Sequence, residues 1–199
     1  YLTIDLNRRD WQAANRTFNT ALAVTMAAAG ILLPIVLALA WAFPTLFQVP
    51  QGLETQSRLV FACVGLSFVA SVIESSFTVS AQALHRFDLR NALLATVVLT
   101  RVGTVVAAMS LLVPQLWLVG LGFMLAAVVS LTGSWWLCRV VTPELHVDLR
   151  LADRTRSGDL LAFGGWSIVN RTGMVLFLTA DLIIVNMVLG PVASGQFAA

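Results

Sequence analysis

Lysine is absent from this chain; all twelve basic residues are Arg. Charge of either sign is scarce. Asp, Glu, Lys and Arg make up 11% of the 199 residues, against about 25% in an ordinary soluble domain. There are only two His, two Cys and one Tyr. Each shortage excludes something. Cys63 and Cys138 form no CxxC pattern and have no His nearby in sequence, so neither a disulfide framework nor a metal site is indicated. Unpaired thiols among apolar neighbours are expected instead. His85 and His146 lie far apart in polar segments, where solvated loop residues are expected rather than a base or ligand. No basic run carries interleaved aromatics, so the pI near 9.0 gives no reason to expect a nucleic-acid partner. No Walker loop, GxSxG or HExxH occurs. An enzyme is not expected, and no cofactor or metal is called for.

What is present is apolar length. Hydrophobic residues make up 58% of the chain, and the mean hydropathy is +0.86. The apolar residues come in blocks of roughly 20 or more, about what a helix needs to cross a ~30 Å hydrocarbon core. The expected fold is therefore all-α, a polytopic transmembrane helical bundle of about five spans. The spans fall at about 17–43, 59–84, 92–112 and 117–137, with a last block at about 160–189. Residues 1–16 read as a water-exposed helical lead-in. Pro34 predicts a kink in the first span. The segment 44–58 reads as a loop turning at Pro50-Gln51-Gly52. Trp117, Trp135 and Trp136 stand at span ends, where Trp favours the headgroup level.

The arginines orient the bundle. Loops at one end (the lead-in, 85–91 and 138–159) hold nine Arg, and those at the other end (44–58 and 113–116) hold one. Positive-inside bias puts residue 1 in the cytoplasm of a multi-pass cell-membrane protein.

The remaining two arginines lie inside spans. An ionisable group there costs at least about 2.5–3.5 kcal/mol and normally faces a bundle interior or a wet cavity. Four groups qualify: Glu74, Arg101, Arg171 and Asp181. Glu74 shares a helical stripe with Ser67, Ser71, Ser75, Thr78 and Gln82. That stripe fits either a cavity-lining helix or a seam glued by small polar groups. Thr96, Thr100, Gly103, Thr104 and Ala107 read as a packing face, with Arg101 at its edge. Arg101 could pair with Glu74 or face an anionic substrate. Asn170 and Asp181 share a face about 16 Å apart along the last span, with Arg171 beside it.

The run from Phe163-Gly-Gly-Trp-Ser to Asp181-Leu-Ile-Ile-Val-Asn-Met-Val-Leu-Gly190-Pro191 and Gly195-Gln-Phe197 resembles the polysaccharide flippases. These belong to the multidrug/oligosaccharidyl-lipid/polysaccharide exporter superfamily. Phe197 stands where that family often has Tyr. The lead-in, Asn7-Arg-Arg-Asp10 through Asn15-Arg-Thr-Phe18-Asn-Thr-Ala21, is similar to the family's loop before its third span. Gln82-Ala-Leu-His-Arg-Phe87-Asp88 is similar to the loop after its fourth.

The resemblance implies spans three to seven of a longer transporter. Residues 1–159 would then be a first-lobe bundle with its cytoplasmic connection (138–159), and 160–199 the first helix and following turn of a second lobe. It also implies alternating-access flipping of a lipid-linked oligosaccharide or polysaccharide precursor. Arg101, Arg171 and Asn170 would hold its anionic headgroup, while Glu74 and Asp181 bind a coupling proton or sodium ion or balance the Arg charges. The rival expectations are a cation-coupled multidrug exporter, a non-transporting membrane scaffold, and an intramembrane glycosyltransferase.

Overall fold

A computed structural model describes residues 2–46, 49, 52–111, 115–153 and 158. The expected last block, with Asn170, Arg171, Asp181 and the Gly190-Pro191 turn, lies outside the described residues. The described part is all-helical: α1 (Leu2–Asn7), α2 (Trp11–Leu46), α3 (Glu54–Ala83), α4 (Phe87–Leu111), α5 (Trp117–Val141) and a short 3-10 turn (Leu149–Leu151). Among the described residues there is no strand. Helices α2 to α5 are long and apolar enough to cross a bilayer, and the chain is a multi-pass helical membrane protein. All the described elements fall within one compact unit, Tyr1–Arg154.

The spans start earlier and end later than hydropathy alone predicts. Helix α2 runs unbroken through Pro34 and Pro44, so the expected loop at 44–58 shortens at both ends. Pro44 still withholds one backbone donor. Near it, Thr45 Oγ1 donates to the Ala42 carbonyl at 2.6 Å, binding one of the carbonyls at the helix end. Glu54 and Arg58 lie in the first turns of α3 rather than in the loop. Gly52, with φ of +88°, makes the turn before it.

The lead-in is helical as expected, but it is not simply water-exposed. Leu2, Leu6 and Ala14 are buried with Phe18, Leu22, Phe77, Cys138 and Leu145 in the main core cluster. That cluster sits at the Arg-rich end, where α2 begins and where α3 and α5 end. Leu2 and Leu6, four residues apart, share one face of α1 while Ile4 points outward, and the bundle's end accepts that face. Helices α1 and α3 close in the same way. Arg9 and His85 take φ of 56° and 54°, and the following amides, Asp10 and Arg86, bond back to the Asp5 and Ala81 carbonyls at 3.0 and 2.9 Å. This is the left-handed cap usually given to Gly. Asp10 then caps α2, its Oδ1 accepting from the Ala13 amide at 3.0 Å.

Neighbours in space do not follow chain order. Helix α3 packs mainly between α2 and α5, and α4 joins the bundle chiefly through α5. The reason lies on α5, where Gly122, Ala126, Ser130, Ser134 and Cys138 recur every fourth residue and are all buried. Small side chains let helix backbones approach closely without a hydrophobic driving force. A methyl at Gly122 would sit 3.1 Å from the Arg101 carbonyl oxygen, and one at Gly120 would sit 3.2 Å from the Val60 Cα. The small-residue face expected on α4 is different. No α4 residue is fully buried, and Gly103 meets nothing. Helix α4 instead turns Leu93, Val97 and Val105 toward α5, since α5 offers small residues and larger side chains fill that gap.

Candidate functional site

Two of the four intramembrane charges, Glu74 and Arg101, line one open groove between three helices. A groove of about 340 Å³ is lined by Ser67, Ser71 and Glu74 of α3, Val97 and Arg101 of α4, and Phe123, Ala126 and Ser130 of α5, among others. Each set follows helical spacing, so each helix contributes one face. The small stripe on α5 leaves the room, because Ala126 and Ser130 stand where larger residues would fill the groove.

Within it, Glu74 and Arg101 line the same space without forming an ion pair with each other. The Glu74 carboxylate accepts from Ser134 Oγ at 2.9 Å. The Arg101 guanidinium carbon lies 5.0 Å from the centre of the Phe123 ring, a cation–π arrangement. The two charges are therefore held separately, each by α5. The α3 hydroxyls behave more locally than the stripe suggested. Ser67, Ser71, Ser75 and Thr78 donate to carbonyls three residues back, which satisfies them within their own helix. Gln82 lies at the helix end, and its amide oxygen accepts from the Arg90 guanidinium at 2.7 Å when oriented to match it. A hydroxyl on another face, Ser76, bonds Thr25 of α2 at 2.9 Å.

Sequence reasoning missed a second polar cluster, at the Arg-rich end. After α5 the chain turns back as an extended strap along α2. The Asn15 carboxamide donates to the Glu144 carbonyl at 3.0 Å and accepts from the His146 amide at 2.8 Å. One turn on, Asn19 donates to the His146 carbonyl and accepts from the Asp148 amide, both at 2.8 Å. Thr20 Oγ1 then accepts from the Asp153 amide at 3.0 Å. Four helical residues rise about 6 Å and two extended residues about 6.6 Å, so Asn at i and i+4 matches every second strap residue. The i, i+4 spacing of the two Asn was the available signal. It carried no charge and straddled the boundary between the lead-in read as exposed and the first span. Nearby, Arg86 Nε donates to Asp88 Oδ1 at 3.1 Å, and this hydrogen bond, with the charge behind it, raises the Arg86 pKa above its ordinary value.

Among the described residues, no group of three His, Cys, Asp or Glu side chains could hold a metal ion. Cys63 and Cys138 are free thiols.

Over its whole length the chain is 25% identical to the uncharacterized membrane protein EpsK of Bacillus subtilis, and it spans 39% of that protein's length. No family model matches the chain, and no solved structure matches it.

Proposed function

We propose that this chain is part of a membrane transporter that flips a lipid-linked oligosaccharide or polysaccharide precursor by alternating access, and that it catalyses no covalent chemistry. The observation that carries this reading is the three-helix groove holding Arg101 and Glu74. Charges in a span are expensive and gather where polar cargo passes. A guanidinium offers a planar fork of donors that suits phosphate oxygens. In this reading Arg101 meets the anionic headgroup from the first lobe, and Arg171 with Asn170 meets it from the second. Glu74, oriented by Ser134, binds a coupling proton or sodium ion or balances the cationic charge, together with Asp181. The Arg-rich end faces the cytoplasm of the cell membrane, where such precursors are made. The similarity to a longer membrane protein over the whole of this chain agrees with a first lobe and the start of a second in a larger molecule.

The experiment reconstitutes the full-length protein in vesicles with a fluorescent lipid-linked sugar. Arg101→Ala and Arg171→Ala should each lower the flipping rate at least tenfold, about 1.4 kcal/mol of lost stabilisation, at unchanged expression. Full activity in both variants would remove the arginines from the mechanism. The carboxylate in the same groove favours one rival, a cation-coupled multidrug exporter. Efflux of organic cations that is lost in Glu74→Gln, with no lipid flipping in the wild type, would establish that rival instead.

A further inference from the structure

Below the strap lies a second groove, of about 350 Å³ and lined by apolar surface alone. Met26 of α2, Phe77 of α3, Leu131 and Trp135 of α5 and Val147 of the strap form its walls. It opens outward on helices that span the membrane: Met26 is 45% and Trp135 47% exposed. It lies at the Arg-rich end of the bundle, beside the buried core cluster that shares Leu22 and Phe77 with it. One exposed cation, Arg139, stands beside its Trp135 wall. The Arg139 guanidinium carbon stands 5.8 Å from the centre of the Trp135 ring, and no acidic side chain among the described residues pairs with Arg139. Trp sits at the headgroup level of a bilayer, and a basic group at the rim of a groove between spans suits an anionic headgroup.

We infer that this groove holds one anionic phospholipid from the leaflet at the Arg-rich end, with an acyl chain against Met26, Phe77 and Leu131 and its phosphate at Arg139. Apolar surface and a guanidinium without an acidic partner among the described residues lie side by side in the order that a phospholipid presents its own chain and phosphate. Val147 places the strap against the same chain, so an occupied groove supports the segment that Asn15 and Asn19 hold from the other side. This inference does not rest on the transport reading.

The test uses the full-length protein in nanodiscs of equal phosphatidylglycerol and phosphatidylcholine, extracted into detergent, with retained lipids counted by native mass spectrometry. The wild type should retain phosphatidylglycerol over phosphatidylcholine by about fivefold, the preference expected of one arginine near a surface phosphate. Arg139→Ala should abolish the preference and Arg139→Lys should keep most of it. Leu131→Trp, which fills the groove and leaves Arg139 in place, should lower retention of both lipids. Soluble glycerol phosphate should not compete, which separates a lipid from free phosphate. Equal retention of the two lipids by the wild type, or an unchanged preference in Arg139→Ala, would overturn the inference. So would loss of the preference in Arg16→Ala alone, which would move the phosphate to the polar groove of Arg16 and His146 on the other side of the strap.

Discussion

At the scale of single residues, the intramembrane charges were legible and their partners were not. Glu74 and Arg101 stand out because an ionisable group inside an apolar block is costly wherever it points. Ser134 does not stand out, since a lone Ser in a span is ordinary. Yet it donates to Glu74 at 2.9 Å. Replacing it by Ala removes a donor from a half-buried carboxylate. Ser134→Ala should therefore lower stability in detergent by about 1–3 kcal/mol, while Glu74→Gln, which keeps an acceptor for the same hydroxyl, should cost less. Equilibrium unfolding of the two variants side by side checks the order. Asn19 is the stronger case. It is fully buried, and its carboxamide serves two strap groups and its own helix. Asn19→Ala should free the strap, and limited trypsin digestion should show faster cleavage after Arg150 than in the wild type. Unchanged cleavage would mean that Asn15, Thr20 and the buried Leu145 hold the strap without Asn19.

At the scale of elements, hydropathy located the four described spans and misjudged their ends. It weighs side chains, while the end of a helix depends on whether the last carbonyls and first amides find partners. Thr45 and Asp10 supply such partners, so α2 extends past Pro44 and back to Trp11. Polarity likewise pointed to the face of α3 that carries Glu74, yet all four hydroxyls on that stripe bond their own helix. The informative periodicity was on α5, in small residues rather than polar ones. Gly120→Leu would force a side chain against the α3 backbone at Val60 and against Cys63. It should destabilise the bundle by about 1–3 kcal/mol or more, as overpacking does. Gly103→Leu, on the open face of α4, should be tolerated. A thermal-stability comparison of these two glycines tests whether α5 and not α4 carries the close-packed seam.

At the scale of the whole molecule, the charge pattern predicts an orientation that thiol chemistry can read. In a chain with Cys63→Ala and Cys138→Ser, a cysteine at exposed Ile4 should resist a membrane-impermeant reagent in intact cells. A cysteine at exposed Leu53, at the opposite end, should react. The reverse pattern would invert the topology. The spans and their up-and-down order follow from sequence alone, because a bilayer forces every backbone polar group into a helix and sets the length that helix needs. The cost of a charge in that setting also follows from sequence, which is why Glu74 and Arg101 are visible without coordinates. Which helix stands beside which does not follow. Helix α3 packs on α5 rather than on its sequence neighbour α4, since lipid is as apolar as leucine and only close packing and hydrogen bonds choose partners there. That choice decides that Glu74 and Arg101 share a groove yet are held apart by Ser134 and Phe123. It also brings the strap beyond α5 onto two asparagines more than a hundred residues earlier in the chain.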